Sequence, residues 1–411
     1  MKTSKVDAYA ALRIPAFRHF LFSRFFLTFA IHFAETIIAW KVYEFTHNKL
    51  ALGLIGLSEA LPFILTSLYG GYAADMFNRY KIVRWTLALI ALSFTAIGLV
   101  MSGDAVLLQK YGANPIYLLI GFTGLVRGFL APAFQSIMPQ LLPKELYANG
   151  ATWSSNTWQT AAVAGPAIGG IVYGFTNLEV SFVLVVALML TALFLFARVP
   201  ITELPPRTER ESIFDSIKSG LSFVFNRQVM LAAISLDLFA VLFGGAVALL
   251  PVFASDILHI GPQGLGFLRA APFVGSIVMG LFLAYNPPTI HAGRNLFLAV
   301  AGFGLATVGF AFSMNVILSF VMLFLTGAFD NISVVIRQTI LQTMTPDNMR
   351  GRVSSVNQIF ISSSNEIGAF ESGLTAQLFG TVPSVVFGGC MTMVVVISTF
   401  FLAPKMRKLK L

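Results

Sequence analysis

Apolar residues in this chain come in runs of about 20, the length of a helix that crosses a lipid bilayer. The runs start near Phe17, Leu50, Ile82, Pro115, Ala148, Leu178, Gln228, Pro262, Asn295, Val316, Val353 and Ser384. This pattern predicts an all-α polytopic membrane protein with twelve transmembrane helices. The longest polar stretch, Arg198 to Arg227, follows the sixth run and contains Pro205–Pro206. Within it Ile213, Ile217, Leu221 and Val224 recur at helical spacing, which predicts an amphipathic helix on the inner membrane face. The chain then reads as an N-terminal six-helix bundle (1–198), a cytoplasmic linker with that helix (199–227) and a C-terminal six-helix bundle (228–411).

The two halves echo each other. "EALPFI" at Glu59–Ile64 returns as "RAAPFV" at Arg269–Val274, 210 residues later. "FQSIMPQLLPKEL" at Phe134–Leu146 returns as "RQTILQTMTPDNM" at Arg337–Met349, 203 residues later. Each match falls at the same point of its half. The change in offset is absorbed by "SGDAVLLQKYGAN", an outer loop that the second half lacks. A parallel repeat of six-span halves is one of the ways transporters are built.

Composition supports the membrane reading. Of 411 residues 56% are hydrophobic and 11% charged, against about 25% charged in an average soluble domain. Lys and Arg are distributed unevenly. Lys2, Lys5, Arg13, Arg18, Arg79, Lys81, Arg84, Lys144, Arg198, Arg207, Arg210, Lys218, Arg227, Arg294, Arg350, Arg352, Lys405, Arg407, Lys408 and Lys410 fall on one side of the twelve spans. The other side holds Lys49, Lys110 and Lys41. The positive-inside rule then puts both termini in the cytoplasm. The net charge of +9 is accounted for by this topology rather than by a nucleic-acid partner. No cleavable leader is expected, because the apolar run after the basic start is too long for one. The single Cys390 excludes an intrachain disulfide and a cysteine-based metal cluster.

Two motifs give the chain a family likeness. "GGYAADMFNRYK", Gly70 to Lys81, resembles the major facilitator loop signature, with Gly71, Asp75 and Arg79 in register and Lys81 one place late. Asn78 stands where a turn glycine is usual, and asparagine is the next best residue for a left-handed turn. Met76 and Tyr80 replace basic residues. "AAVAGPAIGG", Ala161 to Gly170, resembles the antiporter signature of the same superfamily through Gly165, Pro166, Gly169 and Gly170, with Ala161 in place of its first glycine. Gly165 and Gly169 share one helix face and allow backbones to pack closely; Pro166 is expected to bend the helix. "FRHFLFSR", "VYEFTHNKLALG" and "LPKELYANGA" resemble the branch of enterobactin exporters and macrolide efflux proteins. The resemblance implies a rocker-switch fold, a central cavity lined by spans 1, 4, 7 and 10, and export in exchange for another species. Asp75, Arg79 and Lys81 fall on the inner surface, where Asp75 is expected to meet the start of span 11, a place the helix dipole favours for a carboxylate, and so to hold the inner side closed.

Ionisable residues inside the spans are the candidate chemistry, because a lipid-facing position is unfavourable for each. They are Arg24, His32 and Glu35 in span 1, Glu59 in span 2, Arg127 in span 4, Asp237 in span 7, Arg269 in span 8, Asp330 and Arg337 in span 10, and Glu366 and Glu371 in span 11. Arg24 and Glu35, eleven residues apart, lie within about 20° of one helix face. Thr326, Asp330, Ser333 and Arg337 form a second stripe. The repeat offset makes Asp330 the counterpart of Arg127, and Glu59 the counterpart of Arg269. The first pair is expected across the central cavity, directly or through water or substrate, and the second as an outer gate. Glu35, Asp237, Glu366 and His32 are candidate proton carriers, with Glu35 favoured because it shares its stripe with a histidine and an arginine. Phe25, Phe29, Phe129, Phe134, Trp153, Trp158, Phe239 and Phe243 are expected in or beside the cavity wall, which would suit an amphiphilic or aromatic substrate.

No catalytic constellation, Walker loop, HExxH or GxSxG stands beside these charges. The chain therefore reads as a secondary transporter rather than an enzyme, with no cofactor and the proton gradient as its energy source. The reading is an exporter, by proton antiport, of a mid-sized amphiphilic molecule such as a siderophore or drug. It would work as a monomer in the inner membrane of a bacterium. A lysophospholipid or lipid translocator, or a uniporter, in the same fold is the alternative.

Overall fold

The structure is a computed structural model and describes residues 9–102, 106–200, 213–286, 288, 290–346 and 349–409. The described residues are overwhelmingly helical and contain no strand. The long helices are α1 (Pro15–Thr46), α2 (Lys49–Met76), α3 (Arg79–Ser102), α4 (Asn114–Leu141), α5 (Tyr147–Phe175), α6 (Leu178–Ala197), α7 (Gln228–Phe243), α8 (Gly261–Tyr285), α9 (Ala292–Ala311), α10 (Val316–Met344), α11 (Arg350–Phe379) and α12 (Thr381–Leu402). A linker helix, Ile213–Phe225, lies between α6 and α7. Each numbered helix begins within a few residues of the place the apolar pattern indicates.

Among the described residues ten segments are long and apolar enough to cross a membrane, and one of them joins α7 to the irregular turns that follow it, up to Ile257. The two long helices outside this set, α5 and α11, are the fifth helix of each half. They carry polar runs such as "TWSSNTWQT" and "SSSNE", which need protein or water rather than lipid beside them. Elsewhere large apolar side chains such as Leu99, Leu118 and Ile317 are mostly exposed, as befits helices whose solvent is lipid. Hydroxyls within the spans satisfy themselves on the preceding turn. Thr86 donates to the Ile82 carbonyl at 2.9 Å, Ser93 to Leu89 at 2.8 Å and Thr307 to Phe303 at 2.9 Å.

The chain divides into two compact units, Met1–Ile37 with Leu61–Arg210, and Ile38–Ala60 with Glu211–Leu411. In the first, Phe20 of α1, Phe134 of α4, Phe196 of α6 and Tyr80 of α3 form a buried aromatic cluster, with successive ring centroids 5.4, 5.7 and 6.2 Å apart. Phe134 is therefore core rather than cavity wall. Tyr80 is fully buried, so a basic residue would be out of place there. In the second unit Val224 of the linker helix joins a core drawn from α7, α9, α10, α11 and α12. The linker helix thus docks on protein. Arg352 of α11 donates to Ser219 Oγ at 3.1 Å, and a Cβ at Gly220 would stand 2.9 Å from the Arg352 carbonyl oxygen. Ile213 and Ile217 are helical, but their side chains lie outside the described residues.

Repeat-equivalent features recur in the fold. His47 ends α1 and His259 ends the seventh span, both in the left-handed region with φ of 46° and 52°. The α2–α4 crossing has its counterpart in α8–α10. At the first, Thr66 donates to the Leu125 carbonyl at 3.0 Å, and a Cβ on Gly70 would collide with the Gly128 carbonyl. At the second, Asn331 donates to Ser276 Oγ at 2.8 Å, and a Cβ on Gly327 would collide with the Pro272 backbone. The 38–60 segment packs within the second unit, where Gly53 and Gly373 bring α2 and α11 together so tightly that a Cβ on Gly373 would stand 2.9 Å from the Gly53 Cα.

Candidate functional site

The intramembrane charges gather in two groups, one in each unit. In the first unit the antiporter-like motif positions α1. A Cβ on Gly165 would stand 2.9 Å from His32 Cβ and from the Phe29 carbonyl oxygen; one on Gly169 would stand 2.8 Å from the Phe33 carbonyl oxygen. Pro166 and Gly170 are buried on the same helix, and α5 continues as one helix past the proline. The small-residue seam lets the α1 backbone lie against α5 and fixes the face on which His32 and Glu35 stand. His32 Nδ1 is 2.8 Å from Glu35 Oε2, and Arg127 Nη1 of α4 is 4.0 Å from Glu35 Oε1. Both Glu35 and Arg127 side chains are 35% exposed, so this group is open to whatever fills the space beside it. Further along α1, Arg24 donates to Ser154 Oγ of α5 at 2.6 Å. The aromatic rungs Phe25, Phe29 and Phe33 follow one another on α1, with centroids 5.9 and 6.1 Å apart.

In the second unit the stripe on α10 turns toward α7 and α9. Arg337 Nη1 meets Asp237 Oδ2 in direct contact, and the two side chains are 4% and 6% exposed. Beside the pair is a cavity of about 10 Å³, the room one water needs. Its walls include Asp237 of α7, Val300 and Phe303 of α9, and Phe329, Asp330 and Ser333 of α10. Ser333 Oγ and Arg337 Nε are buried donors without a protein partner. Two carboxyl groups, Asp237 and Asp330, therefore face one small cavity, and Asp237 is paired with the Arg337 guanidinium. Helical spacing brought out both Asp237 and Arg337, yet it did not pair them: a stripe gives the face of a helix, not the neighbour that face meets. Charge balance held the missing signal, because buried charges in lipid pair with one another. The repeat offset nominated Asp330 as the partner of Arg127. Within its own unit each has other company, Arg127 beside Glu35 and Asp330 beside Asp237.

The remaining candidates are placed as follows. Glu59 and Arg269 are half-buried and fall in the same unit, on α2 and α8. Glu366 lies where Gly56 leaves room, its Oε2 2.9 Å from a Cβ position on that glycine. Tyr43 near the end of α1, which no pattern in the sequence singles out, hydrogen-bonds Asp256 through its hydroxyl. In the loop motif, Gly71 has open space around it. Arg79 Nε donates to the Ala74 carbonyl at 2.7 Å and so ties the turn to the end of α2. Lys81 is exposed, and Asp75 lies in α2 with a side chain outside the described residues. Asn78 corrects an expectation. It is not among the residues with positive φ. Its Oδ1 instead accepts from the Lys81 backbone N–H at 3.1 Å, capping α3. The turn thus has no need of a glycine there.

Helix count, repeat and intramembrane charges together define a multi-pass membrane transporter. The chain belongs to the transmembrane secretion effector family of major facilitator proteins, which it matches over residues 6–410. It is similar to the staphyloferrin A transporter of Staphylococcus aureus, 24% identical over 404 residues that cover 96% of this chain and 98% of that one. It is also similar to the enterobactin exporter of Escherichia coli, 23% identical over 396 residues that cover 96% and 94%. Among solved structures, a POT family transporter in complex with 5-aminolevulinic acid superposes with a TM-score of 0.76 at 12% identity, covering 95% of this chain and 96% of that one. A bacterial homologue of the lysosomal transporter Spinster does so at 0.73 and 15%, covering 98% of each. The fold is the major facilitator fold.

Proposed function

We propose that this protein is a proton-coupled exporter of a mid-sized, amphiphilic organic molecule of the siderophore kind. It works by alternating access of its two six-helix halves in a bacterial cytoplasmic membrane, as a monomer with both termini inside. The observation that carries this reading is the division of labour between the two charge groups. Glu35, His32 and Arg127 form a partly exposed group, a setting suited to contact with a polar substrate. Asp237 is buried against Arg337, and Asp330 lines the same water-sized cavity, a setting suited to carboxyl groups that exchange a proton with water. The relatives named for staphyloferrin A and enterobactin support the siderophore class. Glu59 and Arg269 act as an outer gate in this scheme, and Asp75, Arg79 and Lys81 as the inner one.

Purified protein in proteoliposomes tests the proposal. Siderophore flux should accelerate when a pH gradient is imposed, with protons moving the opposite way. Flux that ignores the gradient, or movement of lysophospholipid in place of siderophore, would replace this reading with a uniporter or a lipid translocator.

A further inference from the structure

Two cavities in the second unit share a wall. The first is the water-sized space at Asp237 and Asp330. The second, about 420 Å³, is lined by Met279 and Leu283 of α8, Asn295 and Ala299 of α9, and Phe329 and Ile332 of α10. Phe329 lines both. Neighbouring residues alternate between them: Ala299 faces the large cavity and Val300 the small one, Ile332 the large and Ser333 the small. The Phe329 ring is seated on Gly302 of α9, where a Cβ would come within 2.7 Å of its Cε1 and Cζ. The glycine thus leaves the ring its place. Asn286, His291 and Asn295 make the far end of the large cavity polar, beside Arg294 of the inner surface. At the near end, Ser333 Oγ and Arg337 Nε are unpartnered buried donors, and such groups are met by ordered water.

We propose that protons reach the Asp237–Asp330–Arg337 group through this α8–α9–α10 side passage, with the Phe329 ring as its gate, and not along the path taken by substrate. The inference rests on the proton-coupled reading above. When the ring swings aside, water in the small cavity joins water in the large one. A hydronium proton then passes along that water to a carboxylate oxygen of Asp330 or Asp237, leaving neutral water behind, and returns by the reverse step. The titratable and charged groups at the small cavity are Asp237 from α7 and Asp330 with Arg337 from α10, while α9 contributes only the apolar Val300 and Phe303. His291 stands at the far mouth of the large one.

Two variants test the passage in proteoliposomes loaded with a pH dye. Phe329→Ala should raise proton entry in the absence of substrate several-fold over the parent. Asn295→Cys, made in a Cys390→Ser background and labelled with a bulky polar thiol reagent, should slow gradient-driven siderophore transport several-fold. The labelled protein should still exchange siderophore at the parental rate when the pH is equal on both sides. If the parent is proton-coupled but both variants behave like it, the side passage is wrong and the coupling stands. If the parent itself moves no protons with substrate, the coupling reading fails and the passage fails with it.

Discussion

Each half of the molecule sets an acid on its first helix against an arginine on its fourth, and the two pairs differ in nearly everything else. Glu35 of α1 and Arg127 of α4 are 4.0 Å apart, 35% exposed, and shared with His32. Asp237 of α7 and Arg337 of α10 touch directly and are nearly sealed, with a second acid, Asp330, at the same cavity. They also sit at different levels: Glu35 comes late in α1, Asp237 early in the seventh span. One helix pairing thus occurs in two forms, one open and one closed. A hydrated pair holds its geometry weakly and can yield to an incoming ligand. A buried pair is held by its surroundings, and removing one partner strands the other.

The largest effect should come from breaking the buried pair. Asp237→Asn leaves Arg337 without a counter-charge, at a cost of about 3–5 kcal/mol, visible as a large fall in thermal stability in detergent. The double variant Asp237→Asn with Arg337→Gln should recover much of that stability, because neither member of the pair is left facing a missing partner. Next is the seam that presents the exposed pair. Gly165→Val forces a side chain against His32 and the α1 backbone, an overpacking cost of about 1–3 kcal/mol. Siderophore affinity should fall along with stability, read by thermal shift and by binding.

Glu35→Gln should behave in the opposite way to Asp237→Asn. Its effect on stability is within about 1 kcal/mol, as for exposed pairs, while siderophore binding falls markedly in titration calorimetry. A stability loss as great as that of Asp237→Asn would erase the contrast between the pairs. The smallest effect tests the repeat itself. Ser276→Ala removes the hydrogen bond from Asn331 and should cost about 0.6 kcal/mol, the average for interhelical bonds in membranes. The equivalent Thr66→Ala should cost no more, since its one hydroxyl proton is divided between the Leu125 carbonyl at 3.0 Å and its own helix's Pro62 carbonyl at 2.7 Å.

The helices were legible in the sequence because a bilayer imposes one length on every apolar run. The repeat register was legible too: its offsets of 210 and 203, applied to Thr66 and Gly128, lead to Ser276 and Asn331, and both pairs lie at equivalent crossings. Three things were not legible. The seventh span loses its regular helix at Gly244–Gly245, where a Cβ on either glycine would strike Phe303 or Ser372. The glycine pair and Pro251 signalled a break, but run length alone reads as one span. The roles of Asn78 and Tyr80 were hidden because a motif records which residue is usual and not what it touches. Asn78 caps a helix and Tyr80 fills a core. Finally, helical spacing identified the charged stripes but not their partners, because the face that meets another helix is set by packing between segments far apart in the chain.

In the proposed mechanism Asp237 and Asp330 couple transport to protons while the Glu35–Arg127 pair handles substrate. The direct measurement is siderophore flux in proteoliposomes, with and without a pH gradient, for the Asp237→Asn/Arg337→Gln protein beside the parent. The double variant should still exchange siderophore at equal pH and respond far less to the gradient, Asp330 being the one carboxyl left at the cavity. Gradient-driven transport at the parental rate in that variant would contradict the mechanism.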